Sequence, residues 1–355
     1  MPADAPPRSP RRPAVEEVAE VAQRLAVLLA AGIPPPAAWE YLAEPVDDTT
    51  HAAASRTAPS PLERPRTQRD RVIVAAAKAA RRGGDVPRAI AVEAGRVARP
   101  GRLSSFASAL GPRSASMHET TRKAWCALAA AVQVATDTGA PLAEVLRDLA
   151  ASLRDAGQAE RDRQTALAGP RATARTVLAL PVVGILFGVG LGFDTLHVLF
   201  ATPPGLGCLG AGIALMIAAQ VWNRALLRRA APSQSAPGLA VELVAIGMSG
   251  GGSAPDAVAR ATAACDRFGL AQPSAGSVSS VLGLAQRAGA GAGELLLAEA
   301  EQERRDARSA AQEASASLSV RLMAPLAVCV LPAFMLVSVA PLVLSILSST
   351  IGGLR

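Results

Sequence analysis

Apolar side chains near the start of the chain recur at helical rather than strand spacing. Val18, Val21, Leu25, Leu28 and Leu29 share one face, with Glu17, Glu20, Gln23 and Arg24 on the other, which predicts an amphipathic helix ahead of Gly32. The next residues, Gly32-Ile-Pro34-Pro-Pro-Ala-Ala-Trp39, carry both signals of a helix-to-helix corner. Glycine suits the left-handed residue just past a helix end, and proline suits the first turn of the following helix. The same corner recurs at Gly84-Asp-Val-Pro87, at Gly139-Ala-Pro141 and at Gly251-Gly-Ser-Ala-Pro255, with a looser version over 289–295. Each predicts an αα-hairpin with a tight turn.

After Gly139 the pattern places Leu142, Val145, Leu146, Leu149 and Leu153 on one face, opposite Glu144, Arg147, Asp148 and Arg154. The spacing predicts a helix over 142–168. A similar helix is predicted over 294–320, from Leu295, Leu296 and Leu297 through the charged run Glu299–Arg308. At an offset of about 150 residues Arg154 meets Arg304 and Arg171 meets Arg321, so the chain reads as a duplicated unit of hairpins, charged helix and apolar segment.

Three apolar segments stand apart from these amphipathic ones. Residues 176–193 and 195–223 carry no charge, and neither does 322–354. A membrane span needs about 20 apolar residues, and one mid-bilayer charge costs about 2.5–3.5 kcal/mol on the insertion scale. Asp194, Pro203 and Pro204 interrupt the first stretch, which predicts two spans, 176–196 and 205–223, forming a hairpin. The third span is predicted over 322–348. Arginines cluster at one end of each span: Arg161, Arg163, Arg171 and Arg175 before the first, Arg224, Arg228 and Arg229 after the second, and Arg304, Arg305, Arg308 and Arg321 before the third, while the loop 194–204 has no basic residue. The positive-inside rule then places the N-terminus and 224–321 in the cytoplasm and the loop 194–204 outside. Gly184, Gly188 and Gly192 recur every four residues, as do Gly210, Ala214 and Ala218. These are candidate close-packing faces, although glycine and alanine are common enough here for chance matches. Pro181, Pro325, Pro332 and Pro341 are expected to kink or loosen their spans.

Composition sharpens this picture. Half of the 355 residues are hydrophobic and only 3% aromatic, with 36 Lys and Arg against 29 Asp and Glu, a formal charge of +7. Disorder throughout is excluded, and an ordinary soluble enzyme is disfavoured. The N-terminus offers no apolar core of a secretory signal, so the chain is expected to start in the cytoplasm. Cys126, Cys208, Cys265 and Cys329 lie far apart and read as small buried hydrophobes, not as a disulfide framework or zinc site. The arginine-rich segment 56–102 reads either as a solvated face or as a contact for anionic headgroups or an acidic partner.

Chemical motifs fail on inspection. Gly247-Met-Ser249-Gly-Gly251 matches the G-x-S-x-G elbow, but His51, His118 and His197 all precede it, whereas a hydrolase needs a later histidine. No Gly-Lys dipeptide exists, which excludes a Walker A phosphate loop. No zinc motif or compact metal constellation is present. The expectation is a non-enzymatic protein with no catalytic residues, no cofactor and no metal.

Four segments together are similar to a known family: LAVLLAAGIPPPAAW (25–39), TDTGAPLAEVLRDLAASLRDAG (136–157), GPRATARTVLALPVVG (169–184) and APLAVCVLPAFMLVSVAP (324–341). The combination resembles the F-type inner-membrane platform proteins of type II secretion and type IV pilus machines, in their tight-adherence (Flp pilus) branch. The first half looks like one platform subunit and the second like an abbreviated sister subunit. The resemblance implies an all-α membrane protein with cytoplasmic antiparallel helical-hairpin bundles, working beside a hexameric secretion ATPase, pilin-like subunits and sister platform subunits. No nucleic acid is expected among its partners. The predicted organisation is a disordered tail over 1–16, a first helical domain over 17–175 with a flexible loop at 44–70, and a transmembrane hairpin over 176–223. A second, shorter helical domain follows over 224–321, then a third transmembrane helix over 322–348 and an extracytoplasmic tail over 349–355. A transporter or permease subunit is the alternative, but it would be marked by ionisable residues at mid-membrane, and these spans have none.

Overall fold

The computed structural model describes residues 13–44, 67–97, 112–166, 202–229, 237–321 and 323–341, with five isolated positions besides (183, 186, 190, 200 and 343). Every regular element among the described residues is helical. In chain order they are α1 (Ala14–Ala30), α2 (Pro35–Ala43), α3 (Gln68–Arg81), α4 (Val86–Val97), α5 (Pro112–Thr138), α6 (Leu142–Ala166), α7 (Pro203–Arg229), α8 (Leu239–Ser249), α9 (Ala254–Phe268), α10 (Ala275–Ala288) and α11 (Ala292–Arg321). A run of short α and π segments follows, from Met323 to Val339.

The corners share one closure. After α1, α3, α5, α9 and α10 the residue following a left-handed glycine donates its N–H to a carbonyl five residues back: Ile33 to Leu28, Gly84 to Ala79, Ala140 to Ala135, Leu270 to Cys265 and Ala290 to Ala285. This bond satisfies a carbonyl that the helix end would otherwise leave without a partner. At the second corner the left-handed residue is therefore Gly83 (φ 63°), and Gly84 supplies the closing N–H. Gly32, Gly139 and Gly251 take positive φ at their corners. Side chains cap the helices that follow. Thr67 and Asp70 form a reciprocal capping box at α3, Asp85 accepts the Arg88 N–H at 2.8 Å, and Ser253 accepts the Asp256 N–H at 3.3 Å. A left-handed corner at Gly269 and a serine cap at Ser274 set the start of α10.

The chain divides into two compact units, residues 1–160 with 234–307, and residues 161–233 with 308–355. In the first unit α5 is central. Residues 124–132 are buried without interruption, Trp125 and Leu128 completely; a helix apolar all round must be covered all round. Helices α1, α4, α8 and α9 pack against it. The α6 face carrying Val145, Leu146, Leu149 and Leu153 is buried as its spacing predicts, with Leu142 half-buried. One continuous core includes Leu25, Ile90, Leu128 and Leu149 from the first predicted domain and Leu243, Cys265 and Leu296 from the second. Helices from both predicted domains, α1–α6 and α8–α11, thus contribute to one shared core.

The second unit is built on α7, which packs against the 326–339 segments. Its buried positions are Gly205, Gly212 and Ala219, while Gly210, Ala214 and Ala218 are exposed. The packing face therefore repeats every seven residues, and not at the predicted four-residue set. A Cβ on Gly212 would collide with a Val337 methyl, so glycine there lets the backbones approach. Leu206, Ile213, Ile217 and Val221 point outward, each 48–58% exposed. Over Pro203–Asn223 this helix is long and apolar enough to cross a membrane, the one such helix among the described residues. The first predicted span lies almost wholly outside the described residues, and the apolar helical stretch Ala327–Val337 is shorter than a span.

Candidate functional site

The described residues hold no cluster of three or more His, Cys, Asp or Glu that could bind a metal. Ser249, the serine of the elbow-like motif, sits at the end of α8 and donates its hydroxyl to the Ile246 carbonyl at 2.9 Å. The neighbouring glycines have packing reasons. A Cβ on Gly247 would lie 3.0 Å from the Ala257 Cα, and one on Gly250 would overlap the Thr138 carbonyl. The motif is the inside of a tight helix–turn–helix.

The most unusual chemistry lies where α6, α8 and α11 meet. Glu242, on the apolar helix α8, is 2% exposed. Arg304 of α11 donates from Nη1 to its Oε2 at 2.8 Å and to the Ser152 hydroxyl of α6 at 3.2 Å. Burial pushes the Glu242 carboxyl up, against the pull of the Arg304 guanidinium. Asp148, one turn before Ser152, is also pushed up by burial and is held back by Arg147 and Arg304. One arginine thus faces a buried carboxylate and a second nearby, so three helices share a single charge balance. A Cβ on Gly238, at the start of α8, would overlap the Ala300 carbonyl of α11, which fixes the close approach that brings Arg304 into reach.

Sequence spacing paired Arg154 with Arg304, but the structure separates their roles. Arg154 is exposed on α6, whereas Arg304 anchors the buried junction. Glu242 escaped the periodicity reading. Its signal is that it is the only charged residue between Arg229 and Asp256, and a lone carboxylate in an apolar helix requires a partner elsewhere in the chain. The predicted corner prolines sit at helix starts: Pro34 precedes α2, Pro87 is the second residue of α4, Pro141 precedes α6 and Pro255 is the second residue of α9. Pro181, Gly184, Gly188 and Gly192 lie outside the described residues. Pro325 and Pro332 each precede a π-helical turn, Leu326–Val330 and Met335–Val339. A proline cannot donate to the preceding turn, and wider turns re-house the freed carbonyls.

Cys126 and Cys265 are buried free thiols, both pushed up by burial, Cys265 to about 11. Cys329 is buried too, and Cys208 is partly exposed.

Among the described residues the chain is all-helical, with one compact helical unit and a second unit bearing an apolar helix long enough to cross a membrane. Residues 101–190 match the family of the type II secretion system (T2SS), protein F, an inner-membrane family of secretion and pilus-assembly machinery. The match covers α5 and α6 and runs to position 190, inside the first predicted span, so it overlaps two of the four motifs that carry the resemblance. No curated protein and no solved structure matches the chain.

Proposed function

We propose that the protein is a non-enzymatic inner-membrane platform subunit of a type II secretion or Flp pilus machine, coupling a cytoplasmic ATPase to pilin assembly or protein export. In this reading it crosses the membrane three times, with its N-terminus and the α1–α6 and α8–α11 helices in the cytoplasm. Its partners are the hexameric ATPase, pilin-like subunits and sister platform subunits. The observation that carries the reading is the protein F match over 101–190, which spans α5, α6 and most of the uncharged, arginine-preceded segment that follows them. A part that moves protein without a phosphate loop of its own needs a separate motor.

Conformational work enters, on this proposal, through the charged helices α6 and α11, each followed in the chain by a predicted span. Arg154 is the clean test because it is exposed, so its reversal leaves the core alone. Arg154→Glu should abolish filament assembly or secretion while the protein still inserts in the membrane. Co-purification from membranes should recover a secretion ATPase and pilin-like subunits. Normal assembly in the variant would remove the coupling mechanism, and recovery of a solute-transport partner instead would remove the platform reading.

A further inference from the structure

Between α4 and α9, over α5, lies a groove of about 530 Å³ whose walls include Arg88, Val92, Arg122, Cys126, Arg267 and Phe268. Two of its three guanidiniums are held in place from outside the lining. Arg122 is gripped on two atoms by Glu119, at 2.9 and 2.6 Å. Arg267 binds Asp85 at 2.5 Å and Gln133 at 2.7 Å, and lies 5.6 Å from the centre of the Phe268 ring. The carboxylates therefore orient the arginines at the rim without entering the groove. Arg88 is exposed on the α4 wall, and Val92, one turn on, is 46% exposed. Over Gln68–Val97 seven cationic side chains face three carboxylates. Of those three, Asp85 already binds Arg267 and Glu93 already binds Arg96.

We infer that this groove docks an acidic peptide segment of a partner protein, its carboxylates on Arg88, Arg122 and Arg267 and an apolar side chain against Val92 and Phe268. A guanidinium has five N–H donors, so Arg122 and Arg267 keep N–H groups beyond those given to Glu119, Asp85 and Gln133, and arginine clusters are a recurring means of reading acidic motifs. A lipid surface needs only an outward basic face. A recess that interleaves three guanidiniums with an aromatic and a valine instead fits a side-chain-bearing segment. The inference holds whichever machine the chain serves.

The test uses the full chain in nanodiscs of zwitterionic lipid and a fluorescein-labelled peptide of alternating Glu and Leu, read by anisotropy. Salt-sensitive binding is expected, weakened about tenfold or more by Arg88→Glu and also by Val92→Asp. Arg305→Glu, at an exposed position of α11, should leave it unchanged, and a Lys/Leu peptide should not bind. Circular dichroism verifies folding of each variant, and Arg88→Ala replaces Arg88→Glu if the latter loses helix. Equal affinity for wild type and the Arg88 variants would overturn the inference. So would an Arg88-dependent attachment to phosphatidylglycerol vesicles combined with no peptide binding.

Discussion

Replacing Arg304 by methionine keeps much of the aliphatic stem but removes the cation from Glu242. The carboxylate, 2% exposed, then has two costly options. It can stay charged in an apolar site, or it can take up a proton. Breaking a buried ion pair from one side costs about 3–5 kcal/mol, but protonation sets a ceiling on the loss. Each pH unit above the ordinary carboxylate value of 4.5 is worth about 1.4 kcal/mol, giving a ceiling of about 3.4 kcal/mol at pH 7 and about 1.4 kcal/mol at pH 5.5. The sign follows from the upward shift. A carboxyl that holds its proton more tightly when folded contributes stability below its ordinary value and loses that contribution as pH rises through the raised one. Arg304→Met should enlarge this dependence, costing about 3 kcal/mol at pH 7 and roughly half that near pH 5.5. Unfolding of the detergent-solubilised chain, followed through the fully buried Trp125, measures both values. The double variant Glu242→Met/Arg304→Met should regain most of the loss. A deficit that stays constant from pH 5.5 to 7, or falls below about 1 kcal/mol at pH 7, would refute the buried-pair reasoning.

Three further expectations rest on packing. Gly250→Ala meets the Thr138 backbone and should destabilise by about 2 kcal/mol or more; Gly251→Ala has open space but φ 84° and should cost only about 1–2 kcal/mol; matched chemical-denaturation curves separate the two. Gly212→Leu should lower the melting temperature of the solubilised protein by wedging α7 from Val337, whereas Gly210→Leu, facing open space, should leave it unchanged. Cys126 and Cys265, buried and with thiols pushed up, should resist maleimide at pH 7.5 in the folded protein and react after denaturation, as read by mass spectrometry.

Much of the fold is legible in the chain because its helices are amphipathic and its corners are punctuated. The α1 and α6 faces, and the corners at Gly32, Gly83–Gly84, Gly139 and Gly251, follow from spacing alone, whereas the corner at Gly269 does not. Gly83 and Gly84 are indistinguishable by composition, and which one turns left-handed depends on whose N–H reaches Ala79. On α7 the contacts within the unit fall on Gly205, Gly212 and Ala219, a spacing with a geometric reason. Four residues overshoot a full turn by about 40°, while seven fall short by only about 20°, so a seven-residue repeat tracks a straight partner better. The shared core of α5, α8 and α9 was hidden because an apolar stretch such as α8 does not name its partners. The Glu242–Arg304 pair spans 62 residues. A lone buried acid announces a need for a cation, but only the fold says which arginine meets it.

Reporter fusions placed near positions 200 and 270 test the central claim most directly, because α7 lies between them in the chain. The account predicts opposite compartments, with position 200 outside and position 270 in the cytoplasm. The same compartment at both positions, or a purified chain that stays dispersed in water without detergent, would contradict it.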